Sequence, residues 1–277
     1  MSDASMQALA RELNLSETVY LFPSGSKKSD LRIRWFTPAV EVPLCGHATI
    51  AAFHVLAEEG SHGMKQPGVY EFRVHTKSGT LDVVVDKKYS GAIVEFQLPV
   101  PRFRRLKSVP VRLLAALGLS PSDLRKDLPV VVQNYAYVPV RRLPRILSLA
   151  PDFQALREVS RTMKILGVSV FTTETVEESS AFHSRFFAPA AGIDEDPVTG
   201  SANGPLGAYL FSYALPAGTT LPSLWLPDER LELIGEQGDA IGRKGRVKVR
   251  LKVGTKSVKK VSIAGEAVTV FRSEVAV

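Results

Sequence analysis

Arg34-Trp35-Phe36-Thr37-Pro38, followed by Glu41-Val42-Pro43-Leu44-Cys45-Gly46-His47-Ala48-Thr49, is echoed about half a chain later. The second copy reads Arg185-Phe186-Phe187-Ala188-Pro189, followed by Asp194-Glu195-Asp196-Pro197-Val198-Thr199-Gly200-Ser201-Ala202. Each copy has an Arg-aromatic-Phe-x-Pro strand, an acidic turn with a proline, a Gly-polar-Ala step and a long uncharged stretch. Gly46 follows Pro38 by eight residues and Gly200 follows Pro189 by eleven, and the longer copy contains the acidic run Asp194-Glu195-Asp196. A repeat of this length implies two similar domains, each bringing a helix N-terminus to a shared site.

The stretches behind the two glycines set the architecture. Ala48 to Ala57 carries no charge apart from what His54 can take up, and Ser201 to Ala217 carries none. A helix that is apolar all round is a buried helix, so each domain is expected to wrap around one. Around them the pattern is of short strands: 19–22, 31–36, 69–76, 80–86 and 92–98 in the first half, with a turn at 23–26. In the second half strands are expected at 130–132, 136–140, 165–172, 183–187, 231–234, 247–253, 258–263 and 267–271. Short helices are expected at 6–13, 111–117, 143–150 and 151–159. This is an α+β chain with mostly antiparallel sheets. Pro99, Pro101 and Pro110 mark the division, giving domains 1–105 and 106–277, with the last strands free to cross back over either.

Composition narrows the classes. The chain has 277 residues, 45% of them hydrophobic and 23% charged, as in a globular protein. No apolar run approaches about 18 residues, and the first residues do not read as a signal peptide, so a cytoplasmic location is expected. A single cysteine, Cys45, excludes an intrachain disulfide and any multi-cysteine metal site. The net charge of +7 is concentrated in residues 241–260, which hold nine Lys or Arg and no acid. There Arg246, Lys248, Arg250 and Lys252 alternate with apolar residues, as on a half-buried strand with a solvated outer face. The rival reading is an anion or nucleic-acid surface, although no recognition motif accompanies the patch.

Gly46 and Gly200 stand at strand-to-helix turns, where free N–H groups and the helix dipole favour an anion. Both are candidates to bind a small carboxylate or stabilise an enolate-like charge. Relief of steric strain at the turn is the plainer role for either glycine. His47 and Ser201 occupy equivalent positions, able to cap their helices or to face a ligand. Asp196 sits just ahead of a helix start that favours its charge. Ser16-Glu17, by itself, reads as an ordinary solvated turn.

Together, Asn14-Leu15-Ser16-Glu17-Thr18, Glu41-Val42-Pro43-Leu44-Cys45-Gly46-His47-Ala48-Thr49 and Glu195-Asp196-Pro197-Val198-Thr199-Gly200-Ser201-Ala202 resemble the PhzF family of phenazine-biosynthesis-like proteins. The resemblance runs from about Met6 to the C-terminal strands. It implies the diaminopimelate epimerase-like fold: two pseudo-symmetric domains, each a barrel-like sheet around a central helix, with the active site in the cleft between them. It also implies a strand and a Gly-Asn-Pro turn ahead of the first helix, which this sequence does not contain. The family's namesake isomerises trans-2,3-dihydro-3-hydroxyanthranilate without a cofactor. Carried over residue by residue, its catalytic carboxylate falls on Glu17, its assisting histidine on His47, and its aspartate and serine on Asp196 and Ser201. No cofactor or metal is implied, and a homodimer is.

The residue types suit that chemistry. Moving a proton between carbons needs one base that then becomes the acid, and enclosure is expected to raise the pKa of Glu17 toward working pH. A two-thiol racemase is excluded by the lone Cys45. Cys45 as a hydrolytic nucleophile with His47 is disfavoured, because residues two apart are not expected to face each other at a helix start. The readings of another class are a non-catalytic module that binds a small acid or a protein, and a nucleic-acid-binding protein acting through the basic 241–260 face.

Overall fold

The computed structural model describes residues 1–25, 28–255 and 257–274. Ser26 of the expected turn and Lys256 of the basic stretch lie outside the described residues. The chain divides into two units, residues 1–97 with 264–277, and residues 98–263. Residues 98–105, expected with the first domain, fall in the second unit, and the described residues 264–274 return to the first.

In the first unit, α1 (Asp3–Leu13) opens on Ser2, whose side chain accepts from the Ser5 N–H as an N-cap. Its apolar Met6 and Ala10 pack with Phe36. Strands β1 (Thr18–Pro23), β2 (Leu31–Phe36) and β3 (Glu41–Val42) precede the central helix α2 (Gly46–Glu58). Strands β4 (Gly68–Thr76), β5 (Gly79–Lys88) and β6 (Gly91–Leu98) follow it. Neighbours run in the order β1-β2-β4-β5-β6. Pairing is antiparallel throughout except for β2 with β4, which is parallel. Helix α2 buries Ala48, Ala52, Phe53, Leu56 and Ala57, as its uncharged sequence requires.

The second unit begins with Leu98, whose side chain fills the space against Gly204, where any Cβ would lie 2.5 Å from it. Strands β7 (Arg104–Arg105), β8 (Val131–Val132) and β9 (Tyr135–Pro139) are interspersed with α3 (Val111–Ala116). Helices α4 (Leu143–Leu147) and α5 (Phe153–Met163) precede β10 (Gly167–Thr172), β11 (Phe182–Ala188) and β12 (Ile193–Asp196). The central helix α6 (Gly200–Tyr209) runs on into a single wide turn at Leu210–Ala214, and every residue of α6 except Ser201 is buried. Strands β13 (Leu224–Leu226), β14 (Arg230–Gln237), β15 (Gly245–Val253) and β16 (Val258–Gly265) complete the unit. The order is β16-β15-β14-β11-β10-β9-β8-β7, with β9·β10 and β11·β14 parallel. A Cβ at Gly207 would meet Val249 at 2.5 Å, so the small residues of α6 let the helix lie directly on the sheet.

Two expectations change. Residues 267–271 alternate like a strand, yet the described residues 266–274 form none. Val268, Val270 and Phe271 are exposed, and side chains hold the segment instead: Thr269 Oγ1 donates to Glu58 at 2.5 Å, and Arg272 reaches Glu58 and Glu59. The basic face of β15 is also less bare than its sequence reads. Arg246 pairs with Glu177 and Asp239, and Arg250 with Glu232, acids supplied by other segments of the same unit.

Candidate active site

The repeat has a shared physical core. In the first copy Arg34 grips Glu41 with two parallel bonds of 2.8 and 2.9 Å, and its guanidinium lies 5.0 Å from the Phe36 ring centroid. In the second, Arg185 grips Glu195 at 2.8 and 2.7 Å and lies 5.1 Å from the Phe187 ring. Each Arg-x-Phe strand is thus clamped bidentately to the acid of its own turn, which sets the chain's path toward the helix start. Glu195 is therefore the counterpart of Glu41 and not part of an insertion. Arg185 also donates to the carbonyls of Ile146 and Leu149.

In the first unit the clamp leads through β3 into α2. Cys45 is the N-cap residue and makes no side-chain capping bond, and no acid occupies the first turn. Gly46 and His47 are the first two helical residues, so His47 does not cap the helix; its ring reaches the segment before β1. His47 Nε2 lies 2.9 Å from Glu17 Oε2 and 3.3 Å from Ser16 Oγ. The Glu17 contact has an ion-pair distance without hydrogen-bond alignment: Oε2 is buried and has no hydrogen-bond partner among the described residues, and the Glu17 side chain is only 9% exposed. Cys45 Sγ approaches His47 Nδ1 at 3.7 Å, so the two side chains do meet, contrary to the expectation for residues two apart. The extended backbone of Cys45 ahead of the helix turns its side chain toward the ring.

Charge is held in one arrangement. Burial works to raise the pKa of Glu17, but His47, Ser16 and Cys45 outweigh it and keep Glu17 below the ordinary carboxylate value. This reverses the expected upward shift. Burial opposes charge on His47, yet Cys45 and Glu17 overcome it and push the imidazole up to about 11. Burial raises the Cys45 thiol, so it rests protonated and is a poor nucleophile. The resting pair is carboxylate and imidazolium.

The depressed Glu17 contributes stability above its ordinary value of 4.5, lost as pH falls through its lowered value. The raised His47 contributes below its ordinary value of 6.5, lost as pH rises through about 11. Both contributions are complete between those two ordinary values. Histidine NMR is expected to find the His47 ring still protonated well above pH 7, and titrating at markedly lower pH in Glu17→Gln; a ring neutral at pH 7 in the wild type would refute the pairing.

In the second unit Asp196 ends β12, and its Oδ2 accepts from Thr199 Oγ1 at 2.5 Å. Thr199 is the N-cap residue of α6 without a side-chain capping bond, and Gly200 and Ser201 are the first helical residues. Ser201 Oγ meets Tyr135 OH at 3.0 Å. Asp196 and Ser201 are therefore held by different partners on the same short segment. Gln237 organises the turn: its Nε2 donates to Asp196 O and Thr199 Oγ1, and its Oε1 accepts from Thr199 N and Asn203 Nδ2. All four polar capacities of this buried amide are used, which fixes its orientation. Gly238 next to it adopts φ +86°, and a Cβ there would lie 2.1 Å from the Arg243 carbonyl and 2.7 Å from that of Pro197. Glycine alone lets this corner close on the Asp196-Pro197 turn.

The structure thus groups Glu17, Gly46 and His47 in the first unit, and Asp196, Gly200 and Ser201 in the second. Sequence reasoning missed Ser16, Thr199, Asn203, Gln237 and Tyr135 as supports. Thr199 lies inside the quoted motif, whereas Gln237 is distant along the chain and carries no local signal.

The sequence profile of the family described as "phenazine biosynthesis-like protein" (PhzC–PhzF) matches residues 1–273. The chain is 35% identical to an uncharacterized isomerase of Clostridium acetobutylicum, covering 99% of this chain and 88% of that protein. It is 34% identical to the uncharacterized isomerase YddE of Escherichia coli K12, over 100% of this chain and 90% of that one. The crystal structure of a PhzF-family phenazine biosynthesis protein from Bacillus anthracis superposes with a TM-score of 0.85 at 29% identity, covering 100% of this chain and 90% of that one. A probable proline racemase from Agrobacterium radiobacter shares the fold, with a TM-score of 0.64 at 16% identity over 99% of this chain and 82% of that one. With the family's profile matched along nearly the whole sequence, and relatives named as isomerases matched over most of their length, this chain belongs to the phenazine biosynthesis-like PhzF family.

Proposed function

We propose that this PhzF-family isomerase moves a proton on a small carboxylate substrate without a cofactor. Glu17 is its single carboxylate acid/base, and the reaction takes place in a cleft between the two units. The observation that carries the reading is the Glu17 Oε2 atom, buried, ionised beside His47, and without a hydrogen bond among the described residues. A buried carboxylate oxygen without an aligned hydrogen bond keeps a lone pair that can take a proton from carbon once the imidazolium moves away from it.

The chemistry has two stages. Glu17 takes a proton from a carbon conjugated with the substrate's carboxyl group, and the electron pair moves into an enolate-like anion. Protonated Glu17 then returns the proton at another carbon of the same system. In the resting state His47 keeps Glu17 a weak base. When the imidazolium turns to the substrate's charge, the strongest influence holding the Glu17 pKa down is withdrawn, and burial then pushes it up against the smaller effects of Ser16 and Cys45, strengthening it as a base. The uncapped starts of α2 and α6, at Gly46 and Gly200, bind the carboxylate or the developing charge. Asp196 and Ser201 orient polar groups of the substrate, Asp196 on the turn that Gln237 braces.

The test is a panel of unsaturated and hydroxylated small acids, beginning with the namesake's dihydro-hydroxyanthranilate, followed by NMR for a product of unchanged mass. Turnover of one member with no added cofactor is the expected result. No turnover of any, with millimolar binding of several, would favour the non-catalytic reading. The same reading includes a homodimer and no nucleic-acid partner. Pairing of Arg246 and Arg250 with acids weakens the field of the basic face, so no salt-dependent DNA binding is expected even at low ionic strength.

A further inference from the structure

We propose that Glu17, Cys45 and His47 form a capture site for zinc or a similar thiophilic divalent cation, and that occupancy shuts the isomerase down. Their three ligand atoms all lie within 4.8 Å of one another. His47 Nε2 is 2.9 Å from Glu17 Oε2 and 3.9 Å from Cys45 Sγ. Tetrahedral zinc, with bonds of about 2.0–2.3 Å to oxygen, nitrogen and sulfur, needs its donors about 3.3–3.8 Å apart. The two measured separations bracket that range, so small side-chain rotations complete the geometry.

Two further observations point to a ligand. Glu17 Oε2 is buried, has no hydrogen bond among the described residues, and belongs to a side chain that is only 9% exposed. Cys45 supplies a soft sulfur donor from a buried position at the same point. Sulfur with one imidazole and one carboxylate is a donor set that selects zinc-like ions over magnesium or calcium. Three protein donors leave a fourth position for water. As the bonds form, the thiol proton and the imidazolium proton leave to solvent, so the bound site carries one metal in place of two protons.

The second unit shows the contrast. His183 Nδ1 lies 2.9 Å from Glu236, but Glu236 already accepts from the backbone N–H groups of Val176 and Glu177. Arg246, between Asp239 and Glu177, stands 3.9 Å from it as well. Glu236 is thereby supplied with N–H donors and a nearby cation and offers no open carboxylate oxygen, although His183 Nε2 has no hydrogen-bond partner among the described residues.

The inhibitory half of the proposal rests on Glu17 being the acid/base, since a metal-bound carboxylate cannot accept a proton. The binding half does not, and the experiment separates them. Cobalt(II) titrated into the reduced, metal-free protein is read by absorption. The expected result is one ion per chain with tetrahedral ligand-field bands and a sulfur-to-cobalt charge-transfer band. Cys45→Ser is expected to lose the charge-transfer band. His47→Asn, at a partly exposed position and so a safe second variant, is expected to weaken cobalt binding more than about 100-fold, beyond the about 10–100-fold typical of outer-shell changes. Circular dichroism checks that both variants fold. Absence of the bands at excess cobalt, or bands unchanged in folded His47→Asn, would overturn the capture site. For the inhibitory half, zinc is expected to abolish turnover reversibly, with a chelator restoring it. Turnover that persists with zinc bound would overturn that half and would also remove Glu17 from the chemistry. Bands without turnover on any substrate would leave the capture site standing while the functional reading fell.

Discussion

Glu17→Gln is expected to lower turnover about 10²–10⁴-fold, the usual contribution of a positioned acid/base, while leaving the fold intact. The substitution keeps the shape and the side chain's burial but removes both the negative charge and the ability to take up a proton. The loss is expected mainly in kcat, because the amide can still occupy the space beside His47 and the helix starts proposed to bind the carboxylate are untouched. His47 loses its counter-charge, so some weakening of substrate orientation follows as well. Steady-state kinetics with the substrate found in the panel, beside thermal unfolding of both proteins, checks this. A folded variant with turnover within a few-fold of the wild type would remove Glu17 from the chemistry.

The largest stability effect is expected at the second clamp. Arg185 and Glu195 are 6% and 10% exposed, joined by two bonds, with two backbone carbonyls also resting on the guanidinium. Arg185→Met leaves a nearly buried carboxylate without its guanidinium and takes one donor from each of two backbone carbonyls, of which Ile146 O keeps the Leu149 N–H. Removing one partner of such a pair costs about 3–5 kcal/mol, because the remaining charge stays desolvated. At about 2–4 °C per kcal/mol for a unit of this size, Tm falls by about 10 °C. The double variant Arg185→Met with Glu195→Leu is expected to regain most of the loss, since no charge is then stranded. Differential scanning calorimetry decides between them. A double variant as unstable as the single one would show that shape, and not the stranded charge, sets the cost. Arg34→Met is expected to cost less, because Asp3, which shares Arg34 with Glu41, is itself exposed.

Much of the fold was legible because the repeat combines local signals that physics makes hard to disguise. Alternation in 31–36 gave β2, and the uncharged stretches behind Gly46 and Gly200 gave the two central helices. The family resemblance supplied what no local pattern holds, above all the role proposed for Glu17 in a segment that reads as a solvated turn. Three things stayed out of reach for stated reasons. The strand pattern at 267–271 had no way to show that no strand backbone would pair with it among the described residues. The shift of Glu17 depended on a balance between burial and three neighbours, two of them reached only through the fold of α2 against the segment before β1. Gln237 acts on Asp196 across 41 residues, and nothing in its neighbourhood marks it.

The central claim is that one buried carboxylate carries the proton, and solvent isotope tests it most directly. Incubate the substrate with the protein in D₂O, and follow both deuterium at carbon and product formation for the wild type and for Glu17→Gln. The wild type is expected to form product, with deuterium at the carbon that Glu17 reprotonates to the extent that its proton equilibrates with solvent, and folded Glu17→Gln is expected to give neither product nor exchange. Product formed at equal rate by both proteins, with the same label, would contradict the claim.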